Sequence, residues 1–236
     1  MRSASLQTIK IVDYNILWFR LQVEAIFIML SMLSNPIVLI VTAVGLIIAI
    51  TVHEFAHAFT ADRLGDPTPS IQHRLSLNPL VHLDPLGTVF LVLFGFGWGK
   101  PVEFDPYNLK NPRRDGALIA LAGPASNLIL ALILSISYRI VPGIIGIFFQ
   151  PLIYLNVMLA VFNLLPIYPL DGFRIVGGLL NEQRAHEWMG LQRFGIIFLI
   201  AMLLPIGQSS LLQFILNPLM GFVLRLLSPI AGIGMM

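Results

Sequence analysis

The chain has 236 residues, 57% hydrophobic and 11% charged, with no cysteine, a formal net charge of +2 and a mean hydropathy of +0.85. Soluble domains carry about 25% charged residues, so this composition excludes an ordinary soluble fold and leaves a single integral membrane domain, 1–236, with no room for a sizeable soluble one. Lack of cysteine rules out disulfides, thiolate ligands and a cysteine nucleophile, and the scattered basic residues form no aromatic-interleaved stripe, so nucleic acid is not an expected partner.

Crossing about 30 Å of hydrocarbon takes roughly 20 helical residues. The opening MRSASLQTIK has no small-residue cleavage pattern and leads into an expected retained first span, 15–34. Arg20 and Glu24 lie inside that span, either paired at i,i+4 or with Arg20 snorkelling to the near interface. A second span, 36–61, is almost wholly apolar until His53, Glu54 and His57 near its end.

The connection 62–115 carries six basic residues: Arg63, Arg74, Lys100, Lys110, Arg113 and Arg114. Within it, 86-LGTVFLVLFGFGWGKPVEF-104 begins with an apolar run too short to cross, alternates Phe and Trp with Gly, and ends in a β-like PVEF. It reads as a re-entrant or interfacial segment, either plugged against the helices or offering an extended edge to a peptide by strand addition. Spans 116–140, 145–165, 190–206 and 211–228 complete the count, with Pro205 and Pro218 blurring the last two. Positive residues in 62–115 and 171–193, with Arg2 and Lys10, put both ends and the long connection on the cytoplasmic side. The expected fold is an all-α membrane protein, a six-transmembrane-helix bundle with a re-entrant, β-like cytoplasmic-side segment. The expected location is the cytoplasmic membrane, multi-pass.

HExxH on a helix puts two imidazoles one turn apart on one face, where both reach one zinc ion with the glutamate beside the metal's water. His53, Glu54 and His57 have that spacing. His53 lies about 25 Å along the roughly 39 Å helix from Pro36 to Ala61, toward the inner third of the bilayer. Ionisable residues within a membrane are functional candidates by default. A catalytic zinc needs a third protein ligand, and the candidate is Asp171 in 163-NLLPIYPLDGFRI-175, which follows an outside-to-inside span. Taken alone, Pro-Leu-Asp-Gly is good turn chemistry. His73, His82 and His186 sit in connections beside charged residues and read as loop-bracing groups. In 121-LAGPASNLIL-130, Gly123 and Ala125 read as close helix packing. Asn127, buried in lipid, either ties helices together or donates to the developing oxyanion.

At these residues the chain resembles the site-2 protease family of intramembrane zinc metalloproteases, in its compact form without a PDZ-type domain. Three motifs carry the resemblance over most of 36–180, the expected catalytic core: HEFAH, AGPASN and NLLPIYPLDG. It implies zinc held by His53, His57 and Asp171, Glu54 as general base and Asn127 near the substrate, with Asn163 and Pro166 in the motif leading to the aspartate. Tyr168 stands where many relatives carry a small residue or a proline. The implied activity is a zinc-dependent metalloendopeptidase cutting in or near transmembrane segments, a hydrolase of regulated intramembrane proteolysis. The implied partners are the lipid bilayer and single-span membrane protein substrates, such as an anti-sigma factor or a leftover signal peptide. Two other classes compete: a metal-ion transporter with a His/Asp midplane site, and a membrane scaffold that binds clients without cutting.

Overall fold

A computed structural model describes residues 36–94, 98–141, 148–206 and 209–231. The expected first span, 15–34, lies outside them, as does 95–97 of the aromatic and glycine stretch. The described residues are mostly helical. The helices are α1 (Pro36–Arg63), α2 (Thr68–Ile71), α3 (Pro85–Phe94), α4 (Pro112–Ile140), α5 (Phe149–Asn163), α6 (Asp171–Leu179), α7 (Glu182–Gly190), α8 (Gln192–Leu203) and α9 (Leu211–Ala231). Short 3-10 turns occupy Pro79–Val81 and Pro106–Asn108, and β1 (Pro205–Ile206) pairs antiparallel with β2 (Ser209–Ser210).

Two helices are long and apolar enough to cross a membrane, α1 over Ile40–Arg63 and α4 over Pro112–Ile140. Helices α5 and α8 and the Leu211–Leu227 part of α9 are apolar but shorter. The expected span 116–140 starts earlier because Pro112, with its φ preset for a first turn, opens the helix after Asn111. The expected span 190–206 stops as a helix at Leu203, since Pro205 disfavours helical backbone at Leu204 and the chain turns into β1. In the connection, the apolar run is the ten-residue helix α3. The β-like end is not a strand: among the described residues of 98–104, regular pairing is limited to one isolated antiparallel bridge, Leu83 to Gly99.

Helix α4 packs against α1, α5, α6 and α9. Small residues allow the close approach, as expected where helices meet without a hydrophobic gradient: Ala49 and Ala58 of α1, Ala131 of α4 and Ala160 of α5 are wholly buried. Ala131, Ile153, Val157, Val161 and Met220 form the core where α4, α5 and α9 meet. The outer faces are apolar too. Ile37, Ile40, Val44 and Ile48 run up α1 at helical spacing and are 42–64% exposed, while Phe194, Ile197, Phe198 and Ile200 do the same on α8. A surface with greasy stripes on several helices would aggregate in water; lipid is its solvent.

Two polar knots brace the long connection. Buried Arg74 donates to the carbonyls of Val81, Lys100 and Pro101, at 3.3 and 3.0 Å for the last two. Asp66, 0% exposed, accepts from Thr68 N (3.1 Å), Thr68 Oγ1 (2.6 Å), Asn108 Nδ2 (2.8 Å) and Asp105 N (2.8 Å). Burial works against its charge, but the donors from Thr68, Asn108 and Asp105 outweigh that and hold its carboxyl below the usual range.

Candidate metal centre

Helix α1 supplies two of the three candidate ligands. His53 and His57 lie one turn apart on its buried face, ring centroids 4.6 Å apart and nearly perpendicular at 87°. Asp171 is the first residue of α6, reached by a turn in which Ile167 N donates to Leu165 O and Leu170 N to Ile167 O. Gly172 permits that turn, since a Cβ there would collide with the carbonyls of Leu164 and Leu165. The turn and ligand readings of Asp171 are thus compatible: the turn aims the carboxylate.

The structure brings the three together. One ligand atom from each of His53, His57 and Asp171 falls within 4.8 Å of the others. Asp171 Oδ2 is 3.1 Å from His53 Nε2 and 3.3 Å from His57 Nε2. Behind them, His53 Nδ1 is 2.7 Å from Asn127 Oδ1, and His57 Nδ1 donates to the Ile119 carbonyl at 2.7 Å.

These residues fit a metal. Each imidazole engages an acceptor through Nδ1, leaving Nε2 to face Asp171. Asp171 Oδ2 is itself buried and has no hydrogen-bond partner among the described residues. A divalent cation satisfies a carboxylate oxygen and two imidazole nitrogens at once, and an oxygen-and-imidazole set suits zinc. Below the ligands lies Gly123 of α4, where a Cβ would come within 2.5 Å of His57 Cε1 and 2.7 Å of His53 Cε1. Its small size lets α4 pack closely on α1, as the sequence suggested, and the groups it makes room for are the imidazoles.

A cavity of about 180 Å³ opens onto these atoms and onto Glu54. Glu54 Oε2 accepts from Val102 N at 3.1 Å. Gly99 lets that backbone pass close, because a Cβ there would be 2.7 Å from Ile50 Cγ2 and 3.1 Å from the His82 carbonyl oxygen. Pro101, Val102 and Phe104 line the same cavity, so the β-like end of the connection borders the site although it is no strand.

Asn127 is placed differently from the oxyanion expectation. It is 0% exposed and does not line the cavity. Its Nδ2 donates to Ala49 O at 3.0 Å and Asn156 Oδ1 at 2.9 Å, and its Oδ1 faces His53. Both amide protons are therefore engaged by acceptors behind the ligands. His82 is buried, with Nε2 2.6 Å from Ser76 O, whereas His73 and His186 are exposed. Asn163 and Arg174 do line the cavity. Arg174, one turn beyond Asp171, stacks its guanidinium on the Phe104 ring at 4.9 Å. Sequence reasoning passed over Arg174, although an arginine at i+3 from a ligand is a readable signal on a helix.

Two histidines on one helix face, an aspartate closing the triangle and a second carboxylate on the same cavity define a metal-dependent hydrolase class. The model of Peptidase family M50 matches residues 41–144 and 141–204. A relative from Bacillus subtilis, "Putative zinc metalloprotease YwhC", is 40% identical over 199 residues, 79% of this chain and 90% of the relative. "Putative zinc metalloprotease Rip2" of Mycolicibacterium smegmatis is 31% identical over 73% of this chain and 70% of the relative. "Zinc metalloprotease MJ0392" of Methanocaldococcus jannaschii is 27% identical over 65% of this chain and 38% of the relative. No solved structure matches the chain. The chain belongs to Peptidase family M50.

Proposed function

We propose that the chain is an intramembrane zinc metalloendopeptidase in which His53, His57 and Asp171 hold the metal and Glu54 is the general base. The observation that carries this is the convergence of a buried, otherwise unpartnered Asp171 oxygen on two imidazole Nε2 atoms, with Glu54 on the same cavity. Family membership supports the same activity, and nothing favours metal transport or a non-cleaving scaffold.

When bound, zinc lowers the pKa of a water molecule and polarises a carbonyl. Glu54 takes a proton from the attacking water and returns it to the leaving amine. Val102 N–H holds one oxygen of that carboxylate in place. Asn127 orients His53, and the substrate's developing charge must find its donors elsewhere in the cavity.

The apolar run lengths support six spans, the distribution of lysine and arginine supports both termini and the metal centre toward the cytoplasm, and the positions of the family motifs support one domain with its core at about 36–180. The substrates are single-span membrane proteins, whose helix unwinds locally so that its peptide groups become reachable. Residues 98–104 hold the unwound strand along the cavity, in keeping with Pro101, Val102 and Phe104 on its wall. Cleavage that survives Val102→Pro unchanged removes that last element.

The deciding experiment is metal analysis of purified protein together with cleavage of a model single-span substrate, wild type beside Glu54→Gln. Retained zinc with cleavage reduced about 10²-fold or more is expected. Unchanged cleavage rejects Glu54 as the base.

A further inference from the structure

A line of buried hydrogen bonds runs back from the metal centre and ends on a residue to which no role has yet been given. His53 Nδ1 lies 2.7 Å from Asn127 Oδ1, Asn127 Nδ2 lies 2.9 Å from Asn156 Oδ1, and Asn156 Nδ2 lies 2.8 Å from the Leu152 carbonyl. Both asparagines are 0% exposed. The three side chains stand on three helices, α1, α4 and α5.

The far end fixes the polarity of the line. A carbonyl can only accept, so Leu152 O fixes the amide nitrogen of Asn156 toward itself and turns its Oδ1 toward Asn127. The Ala49 carbonyl, 3.0 Å from Asn127 Nδ2, acts on Asn127 in the same sense. Asn127 Oδ1 therefore meets His53, and as an acceptor it requires the proton on Nδ1. The lone pair of the neutral ring is then on Nε2, the atom facing Asp171. Every bond in the line donates away from the metal centre, an arrangement in which each bond polarises the next. A ligating imidazole whose other nitrogen donates to an acceptor is a more basic and better-oriented ligand.

We infer that Asn156 is a positioning residue for the metal centre: acting through Asn127, it fixes the tautomer and ring plane of His53 and so raises the zinc affinity of the site. This rests on the reading of His53 as a ligand. His57 makes the contrast, because its Nδ1 donates straight to a backbone carbonyl, Ile119 O, and needs no side chain to set it. The competing role for Asn156 is as a polar tie between helices only. A tie affects unfolding but not the metal; a positioning residue affects the metal even when the fold is intact.

The test measures zinc affinity of the full-length protein in detergent by competition with a chromogenic chelator, with thermal unfolding of the metal-free form recorded alongside. Asn156→Leu, close in volume and unable to hydrogen-bond, is expected to weaken zinc binding roughly tenfold, within the range for residues behind a metal ligand. Asn156→Asp is expected to restore most of it, because a buried aspartic acid in its protonated form donates to Leu152 O and accepts from Asn127 as asparagine does. Wild-type zinc affinity in Asn156→Leu, even with a lowered unfolding temperature, overturns the inference and leaves the tie. His53→Ala separates the two levels: if it keeps zinc at full affinity, the ligand reading fails; if it loses zinc while Asn156→Leu does not, only the role of Asn156 fails. Should Asn156→Leu not fold, nitrogen-15 histidine spectra of the zinc-loaded wild type and of Asn156→Ala still decide. In the wild type they are expected to place the His53 proton on Nδ1 in a hydrogen bond to an amide oxygen, and in Asn156→Ala to show that resonance shifted; ligation through Nδ1, or a His53 resonance unchanged in Asn156→Ala, overturns the proposal.

Discussion

Adding one methyl group at Gly123 is the most economical way to challenge the metal centre without touching a ligand. A Cβ there would lie 2.5 Å from His57 Cε1 and 2.7 Å from His53 Cε1, against about 3.5–4.0 Å for relaxed carbon contacts, so the two rings must retreat by about 1 Å. Metal–ligand distances tolerate only about 0.2 Å. The rings cannot simply swing aside, because His53 is tied to Asn127 and His57 to Ile119 O. In stability the change is small: overpacking costs about 1–3 kcal/mol, and replacing glycine by alanine inside a helix returns about 1 kcal/mol. Gly123→Ala should therefore unfold close to the wild type when metal-free, yet hold zinc at least tenfold more weakly and cleave a model substrate about 10²-fold more slowly. Gly45→Ala is the control. Its Cβ would meet Leu152 Cδ2 at 2.7 Å and Leu155 Cδ1 at 2.9 Å, ends of flexible side chains that can rotate away, so zinc affinity should stay unchanged. Chelator competition and substrate cleavage on both variants check the argument. Wild-type zinc affinity in Gly123→Ala would refute it.

Arg74→Met removes the donor shared by the carbonyls of Val81, Lys100 and Pro101 and should loosen the backbone that holds Glu54 at Val102. The expected result is kcat down roughly tenfold or more with zinc content intact, and Arg74→Lys should not rescue it, since one ammonium cannot reproduce a planar fork. Asp66→Asn exchanges an acceptor of four hydrogen bonds for a side chain with a single acceptor atom, at an expected loss of about 1–3 kcal/mol in thermal unfolding. Because the Asp66 carboxyl is held below its ordinary value of about 3.8, its contribution is present above that pH and disappears as pH falls through the lowered value. Unfolding temperatures from pH 7 down to about pH 3 should accordingly fall less steeply in Asp66→Asn than in the wild type.

The parts of the site that sequence can reach are those governed by local spacing or by topology. HEFAH fixes two imidazoles on one helix face whatever surrounds them, and the basic connections put Asp171 at the same end of the bundle as the histidines. Among the described residues the positions of the apolar helices follow from apolar length, but their ends do not: Pro112 extends one helix and Pro205 truncates another through backbone rules that hydropathy ignores. Arg74 is opaque in sequence because its partners are backbone carbonyls, which leave no side-chain signature. Asn127 shows a different limit, since the sequence leaves a helix tie and an oxyanion donor equally open. Its residue type invites a reading as an oxyanion donor, yet which way an amide faces depends on Ala49 and Asn156, far away in the chain. Asn156 lies in the apolar run YLNVML and attracts no notice there, and the smallness of Gly123 is legible while what presses on it is not.

The ligands are unevenly distributed along the chain: two sit within one turn of α1, and the third comes 171 − 57 = 114 positions later. Zinc on these three side chains is therefore also a tether between distant parts of the polypeptide, closing a loop that contains the whole of α4 and α5. Clips that close long loops restrict the unfolded chain most. On this geometry the reaction centre doubles as a staple, so a chelator that stops catalysis should also free the Asp171 end of α6 from α1. Faster amide exchange in the 164–171 turn of the metal-free protein would be its signature.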